Sequence, residues 1–353
     1  MREILVFLIA GAPVFGQAMG NPIPDAVRSP RPQDLMNFDI GLSVTGRVLL
    51  DDHQPPPEPV LVEYSCRGTT TGVVTDVRGK FAIPIGTQQA STTGDVVNRS
   101  DIQGCRVQVR IPGYEELIVP VKPPTKVSAL TVGDLTLKVT GPQASAVFSA
   151  SGRNAPPKAR AQFVKAFEQL VARKYADALG SIDKAIAADP NYASALQLKG
   201  NILEFMVRRE DARAAYQQAA AADPAYAKPL VQLAEMAAED QNAADAAQWA
   251  AKVNALVPAG YPGMYLIEGS SDVMLGRFDD AEKATRAGLD ADPKATCPGL
   301  RKTMGDILFR RAKYAAALEQ FDWYLREAPD ARDIPLVQQR ADTCKKLVKV
   351  EKN

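Results

Sequence analysis

The sequence predicts a chain of two domains: a small seven-stranded β-sandwich, then an all-α solenoid of about five repeats with a C-terminal capping helix. Its 353 residues exceed the size at which one hydrophobic core usually stops growing. Of the 26 prolines, 17 lie at or before Pro157, and the remainder of the chain is rich in alanine. From Pro156 onward prolines recur every 34 to 36 residues, a spacing typical of helical repeats.

The N-terminus predicts export. Three residues, Met1-Arg2-Glu3, precede an apolar run over residues 4–15 and then small residues at Gly16 and Ala18. The run is about 12 residues long, whereas a membrane-spanning helix needs roughly 20. We therefore predict a signal peptide at 1–18, a Pro-rich mature N-terminus at 19–39, and a periplasmic or secreted protein with no integral membrane span.

Seven short β-rich runs between residues 40 and 140 predict the strands of the sandwich. The segment Asp76-Val77-Arg78-Gly79 predicts a tight hairpin between the third and fourth runs, because glycine can adopt positive φ and aspartate can bond its own backbone. Residues 87–103 are polar and predict a long loop. The seven runs are 42–48, 60–66, 72–75, 80–83, 105–111, 116–119 and 135–139.

The four cysteines divide two and two between the halves. Cys66 ends the second run and Cys105 opens the fifth, so adjacent strands could join them in a disulfide. Two buried thiols are the alternative. Cys297 and Cys344 lie before and within predicted helices, and their state is left open.

The segments Val44–Val48, Thr75–Phe81 and Pro112–Tyr114 resemble the carboxypeptidase regulatory-like, transthyretin-like domain over residues 40–140. The resemblance implies a prealbumin-like sandwich that acts as a non-catalytic module, in some members with a carbohydrate-binding-like fold. Sugar binding would require exposed aromatic side chains. The candidates are Tyr64, Phe81 and Tyr114, and each could instead be a core or turn residue.

After a linker at 141–157, small and large residues recur in step with the prolines. Small residues predict close approach of two helices, and aromatic residues fill the space beside them. The prolines are 156, 190, 224, 258, 293 and 329, the small residues include Gly200, Ala234, Gly269 and Gly305, and the aromatics include Tyr175, Tyr216, Phe278, Tyr314 and Phe321.

This pattern is similar to the tetratricopeptide repeat (TPR) over residues 158–329, with a capping helix and tail at 330–353. In that family the first helix of each repeat lines a concave groove that holds a peptide or a partner helix. The resemblance therefore implies a peptide groove containing Asn201, Phe205, Lys228, Glu235, Ser270, Asp306 and Phe309.

The family's clamp for a C-terminal carboxylate is mostly replaced here. Phe163, Phe167, Leu198 and Gln232 stand at four of its five positions, and only Lys228 remains. The sequence thus argues against a chaperone-type clamp.

Composition and motifs disfavour other functions. The 42 basic and 41 acidic residues are balanced, so a nucleic-acid partner lacks its usual electrostatic footprint. His53 is the single histidine, and no nucleophile motif, phosphate-binding loop or metal-spaced cluster is found, so we expect no enzyme activity, no metal and no cofactor. The prediction is an exported interaction scaffold that binds a protein or peptide in the cell envelope. The alternative is glycan or cell-wall binding by the sandwich, with the repeats as an assembly arm.

Overall fold

A computed structural model describes residues 43–85, 102–122, 130–140 and 144–351. The predicted signal peptide, the Pro-rich N-terminus and most of the polar loop at 87–103 lie outside these residues. The described part falls into two compact units that meet in sequence between Pro229 and Leu230. The first holds the strands and the early helices, and the second holds the later helices.

The described residues of the first unit contain seven strands in two sheets. One sheet has the order β4-β1-β7, with β1 antiparallel to β4 and parallel to β7. The other has the order β3-β2-β5-β6 and is antiparallel throughout. The strands are β1 (Ser43–Leu49), β2 (Leu61–Cys66), β3 (Thr69–Val74), β4 (Lys80–Pro84), β5 (Arg106–Val109), β6 (Leu117–Pro120) and β7 (Leu130–Thr136).

Alternating apolar residues create the sandwich core. Val44 on β1, Val62 on β2 and Ile83 on β4 are all buried, while their chain neighbours lie nearer solvent. Because side chains of a strand point alternately to its two faces, this pattern buries one face of each sheet. The seven-strand prediction is confirmed at this level.

Two details of the strand prediction were wrong. The turn at Asp76–Gly79 forms, with Gly79 at φ 73° and the Asp76 carboxylate accepting from Arg78 N, but it connects β3 and β4, which belong to different sheets. A hairpin instead joins β2 to β3 through Arg67 and Gly68 (φ 50° and 80°). The last strand also begins at Leu130, five residues before the predicted run, because residues 131–136 pair with β1.

A disulfide joins Cys66 and Cys105, whose Cα atoms are 4.3 Å apart. Strands β2 and β5 are antiparallel neighbours with Ser65 opposite Arg106, which places the next residue on each side in register. The expected pairing is therefore present. Cys297, half-buried, and Cys344, buried, are free thiols.

The segment before the helical array has regular structure. A 3-10 turn at Ala144–Val147 leads to a short helix α1 (Ala150–Asn154), whose N-cap Ser149 accepts from Ser151 N. Phe148 is buried with its ring 6.2 Å, edge-on, from that of Tyr114. The alanine- and serine-rich composition predicted a linker, whereas one aromatic side chain packs this segment onto the sandwich.

Helices of 12–18 residues make up the rest of the chain. Adjacent helices pack closely on one another, as α2 on α3, α4 on α5, α7 on α8, α8 on α9 and α10 on α11 do. No helix in the described part is long and apolar enough to cross a bilayer. The first unit holds α2 (Pro157–Val171), α3 (Tyr175–Ala188), α4 (Ala193–Phe205), α5 (Arg209–Ala222) and the first three residues of α6 (Ala227–Glu239). The second holds the rest of α6, α7 (Ala243–Leu256), α8 (Pro262–Met274), α9 (Phe278–Ala291), α10 (Gly299–Arg310), α11 (Tyr314–Glu327) and α12 (Ile334–Glu351).

Small residues allow the paired helices to approach. A Cβ atom added to Gly305 would lie 2.6 Å from the Phe321 ring, and one added to Gly200 would overlap the ring of Tyr216. In both pairs the large residue lies on the helix that follows the glycine's helix, and the sequence separation between the two residues is the same. The predicted match of small and large residues is therefore physical contact between α4 and α5 and between α10 and α11, within a TPR-like array of helices.

Candidate functional site

The predicted groove residues of α4, Asn201 and Phe205, contact polar and aromatic side chains of the same chain. Asn201 is half-buried, and its Oδ1 accepts from Gln197 Nε2 at 3.0 Å and lies 2.8 Å from the Tyr216 hydroxyl. Phe205 is 40% exposed, and its ring stacks parallel to that of Tyr175 at 5.6 Å. These two side chains remain accessible and could contact a partner.

Lys228 is engaged inside the molecule. Its Nζ lies 2.5 Å from Glu58 Oε2 and 5.2 Å from the centroid of the Phe148 ring. Glu58 belongs to the loop between β1 and β2, and its side chain is only 6% exposed. Lys228, the one residue of the TPR carboxylate clamp that this sequence retains, thus binds a carboxylate of the same chain.

Three donors converge on the Glu58 carboxylate and define what we call the acidic corner: Ser194, Tyr226 and Lys228. The Ser194 hydroxyl donates to Oε1 at 2.6 Å, and the Tyr226 hydroxyl donates to Oε2 at 3.1 Å. Together with the ammonium group they replace the water that the buried carboxylate has lost. Ser194 and Lys228 occupy equivalent places, each four residues after a repeat proline, Pro190 or Pro224.

Helix α1 supports this corner. The Ser149 hydroxyl donates to Asp223 Oδ2 at 2.8 Å, and the Ser151 hydroxyl accepts from Ala193 N at 3.0 Å, at the start of α4. Gly152 of α1 is buried, and a Cβ there would lie 3.2 Å from Ser194 Oγ and 3.4 Å from Pro57 Cβ. A larger residue at Gly152 would press on the loop and on α4 together.

Glu235 and Ser270, predicted for the groove, lie in the second unit. Glu235 is 4% exposed, and its Oε2 accepts from Gln232 Nε2 at 3.2 Å. Ser270 is half-buried and donates to the carbonyl of Ile267, one turn earlier on α8, at 3.2 Å. Glu235 therefore has little surface to offer a partner.

Asp306 and Phe309 on α10 are engaged by neighbouring helices. Asp306 forms an ion pair with Arg340 of the terminal helix α12, and burial raises its pKa although Arg340 and Lys302 lower it. Phe309 meets Tyr314 edge-on at 5.6 Å. Because Lys302 also pairs with Asp333 at 2.7 Å, a patch of the second unit that the resemblance assigns to a groove is covered by α12 and the turn before it.

Two carboxylates that the sequence analysis did not single out lie one turn apart on α8. Glu268 accepts from Asn254 Nδ2 at 2.7 Å, and Asp272 accepts from Arg277 at 2.5 and 2.8 Å. Burial raises the pKa of both groups. Their i, i+4 spacing was the available signal, but each is held by a structural partner, and the described residues contain no cluster of metal-ligating side chains.

The sandwich offers little to a sugar ring. Tyr64, Phe81 and Tyr114 are all buried. A shallow cleft of about 640 Å³ lies beside Phe81, and its charged groups Arg47 and Asp134 pair with each other at 2.6 Å. The aromatic platform that sugar binding requires is thus missing at these three candidates.

The acidic corner was not predicted from the sequence. Glu58 is the one acidic residue within the run Pro55-Pro56-Pro57-Glu58-Pro59. A charge held in a stiff proline segment was the signal available, but its partners lie 136 to 170 residues further along the chain. His53, in the same loop, is exposed with φ 58°.

No family model matches this chain, and no curated protein matches it. Solved structures that resemble it include YrrB, a TPR protein with an unusual peptide-binding site (18% identity, 56% of this chain and 96% of that chain, TM-score 0.45). Another is MamA from Desulfovibrio magneticus RS-1 (16%, 49% and 96%, TM-score 0.42). A third is PilW, a type IV pilus biogenesis factor (18%, 56% and 94%, TM-score 0.41).

Proposed function

We propose that the protein is an exported, non-enzymatic scaffold whose helical repeats bind a peptide or protein partner in the cell envelope. The observation that carries the proposal is the accessible surface of α4, where Asn201 and the exposed Phe205 lie on the first helix of a pair. An amide and an aromatic ring on a rigid helix suit recognition of an extended peptide. We also propose that the helices form five TPR repeats and that the sandwich is a carboxypeptidase regulatory-like domain.

The non-enzymatic part is supported by the state of the acidic groups. Glu58, Asp272, Asp306 and Asp333 are each paired with a lysine or arginine of the chain. These carboxylates neutralise cations of the same chain and serve its structure.

Export is supported by the Cys66–Cys105 disulfide, since such bonds persist in oxidising compartments. Mass spectrometry of the processed protein is expected to place its N-terminus at Met19, directly after the predicted signal peptide. An unprocessed chain retained inside the cell would contradict export.

A capture experiment tests the scaffold function. The full-length protein is used as bait in envelope extract, beside the variant Asn201→Ala/Phe205→Ala. Gln217→Ala/Gln218→Ala, exposed on α5, is the matched control. We expect a partner retained by wild type and the control and lost by the α4 variant, with unchanged circular dichroism. Binding to the purified partner is then measured by calorimetry, where the α4 substitutions should weaken affinity at least tenfold.

Retention of the same partner by the α4 variant would contradict a site on this helix. Hydrolysis of a cell-wall substrate by the purified protein would contradict the non-enzymatic assignment.

A further inference from the structure

The loop from β1 to β2 behaves as an extended peptide laid against the early helices. Its residues 54–60 read Gln-Pro-Pro-Pro-Glu-Pro-Val. Pro56, Glu58 and Val60 are buried, and the prolines between and beside them are half-buried. Alternate burial is the pattern of an extended segment. Glu58 is the residue that this segment sends to the helices, whereas Val60 bonds Thr75 of the sandwich.

The surface that receives it is built for a carboxylate. A hydroxyl of serine, a hydroxyl of tyrosine and an ammonium group all lie within 3.1 Å of the two Glu58 oxygens. The Phe148 ring also faces Lys228 Nζ at 5.2 Å, so the cation is fixed from a second side. A carboxylate that accepts three charge-assisted or hydroxyl hydrogen bonds at a buried position is recognised specifically.

A polar atom at this place has no partner. The Tyr192 hydroxyl, on a fully buried side chain, makes no hydrogen bond within the part of the chain that the structure describes. Burial raises its pKa and the nearby Glu58 carboxylate raises it further. This hydroxyl is a donor that the loop leaves unused.

We propose that the acidic corner is a recognition site for acidic, proline-rich peptides, and that the loop at 54–60 occupies it in cis. This inference rests on the proposed function, because it names the class of peptide that the repeats recognise. Prolines favour the extended conformation before binding, so such a peptide loses little conformational entropy on binding. A partner with a glutamate in a proline run would make the same three hydrogen bonds.

Occupation in cis has a consequence for affinity. A tethered ligand acts at an effective concentration of about millimolar or above, so a short peptide in solution binds the wild-type corner poorly. A partner would have to displace the loop, or use additional contacts such as those at Phe205. The corner therefore selects for partners that bind at more than one place.

The test uses the full chain with Glu58→Ala and a fluorescein-labelled peptide, Gln-Pro-Pro-Pro-Glu-Pro-Val, followed by fluorescence anisotropy. We expect at least tenfold tighter binding to the variant than to wild type. Binding should be lost when glutamine replaces the glutamate of the peptide, and when the protein also carries Lys228→Ala. Asp52→Ala, in the same loop but paired with Arg153 at 2.5 Å and partly exposed, is the matched control and should bind as wild type does.

Equal binding of the peptide by wild type and Glu58→Ala would overturn the inference, as would equal binding of the glutamine peptide. Circular dichroism establishes that each variant is folded. If Glu58→Ala does not fold, Glu58→Gln keeps the side-chain volume and takes its place with the same expectations. If partner capture depends on Asn201 and Phe205 but the labelled peptide does not bind to Glu58→Ala, only this inference is contradicted. Peptide binding without any such capture would remove the α4 surface from the proposed function.

Discussion

Five equivalent residues take positive φ where the first helix of a pair ends. They are Arg173, Val207, Gln241, Gly276 and Ala312, with φ between 56° and 75°. The left-handed conformation satisfies the last carbonyls of a helix and costs roughly 1–2 kcal/mol for residues other than glycine. Four of these turns therefore carry backbone strain that the packing of the array has to offset.

Val207→Gly should stabilise the protein by about 1 kcal/mol. Valine is β-branched and disfavoured at φ 58°, and its side chain is 88% exposed, so little packing is lost on its removal. Urea unfolding monitored at 222 nm checks the change. Gly276→Val, at the equivalent turn, is the mirror control and should destabilise by about the same amount or more. A destabilised Val207→Gly would show that the valine packs on a neighbour.

Gly200→Ala should destabilise by about 1–3 kcal/mol, because its Cβ would overlap the Tyr216 ring. Gly180→Ala is the matched control, since Gly180 also lies within a helix and a Cβ there would meet nothing within 4 Å. That control should be neutral or stabilising by up to about 1 kcal/mol. Thermal unfolding measures the Tm change of each variant. Equal changes would contradict close contact between Gly200 on α4 and Tyr216 on α5.

The sandwich has short strands, and its disulfide compensates for a small core. Strands β5 and β6 have only four residues each. The bond connects β2 to the residue before β5, across a sequence separation of 39. A cross-link of that span limits the unfolded chain more than it limits the folded one.

Replacing both cysteines, Cys66→Ser with Cys105→Ser, should lower the free energy of unfolding of the sandwich by about 4 kcal/mol on the chain-entropy model. The near-ultraviolet tyrosine signal of the first unit should shift to lower denaturant. Cys297→Ser, at a half-buried free thiol, is the control and should change stability far less. An unchanged midpoint for the double variant would mean that the bond does not form in solution.

Helix α8 carries a half-buried acid, Glu268, that links stability to pH. The folded-state pKa of Glu268 is raised, first by burial and then by Asp272 and Asp280, against the hydrogen bond from Asn254. An acid whose pKa is raised on folding contributes stability that is present below its ordinary pKa. That stability is lost as pH rises through the folded value.

Glu268→Gln should therefore raise Tm relative to wild type at pH 7, and the difference should shrink as pH falls through the raised pKa of Glu268 towards the ordinary glutamate value. Glutamine keeps the oxygen that accepts from Asn254 and removes the charge. Calorimetry at several pH values measures the trend. Glu282 forms ion pairs with Arg286 and Arg311, so Glu282→Gln is a control that should not raise Tm at pH 7. A Tm difference independent of pH would contradict the raised pKa.

At the scale of the whole molecule, the sandwich and the early helices form one unit held by buried polar contacts. Glu58 reaches Ser194 on α4 and both Tyr226 and Lys228 at the start of α6. Removing one partner of a buried ion pair leaves the other without compensation for its lost hydration. The first unit should therefore unfold as one cooperative transition that includes both folds.

Glu58→Ala should destabilise this unit by about 3 kcal/mol, since Lys228 is only 29% exposed and loses its carboxylate. Lys228→Ala added to Glu58→Ala should cost less than the sum of the two single changes. Sandwich and helix signals should shift together in denaturant. Separate transitions, or additive energies in the double-mutant cycle, would show that the contact does not couple them.

Much of the fold could be predicted because its signals are local. The phase of Gly200 with Tyr216, and of Gly305 with Phe321, repeats within single helix pairs and is visible in the chain. The disulfide was accessible for a similar reason, since each cysteine borders a recognisable strand. The sheet partners of β3 and β4 were not accessible, because a tight turn looks the same whether it closes a hairpin or crosses between two sheets.

The candidate site was predicted less well than the fold. The repeat phase put Lys228 and Asp306 in an open groove, but they bind Glu58 and Arg340. Phase gives the direction of a side chain on its helix, and it does not reveal a loop or a terminal helix that covers that face. Asn201 and Phe205 remain candidates that only a binding measurement can decide.

The sequence by itself determined the succession of strands and then paired helices and predicted the disulfide, because each depends on residues near one another or on strands already marked by alternation. Tertiary structure alone decided where the charges go. The Glu58 carboxylate meets hydroxyls and an ammonium group 136 to 170 residues away. Which distant groups converge depends on the path of the whole chain, and the loss of hydration on burial then decides that they must pair.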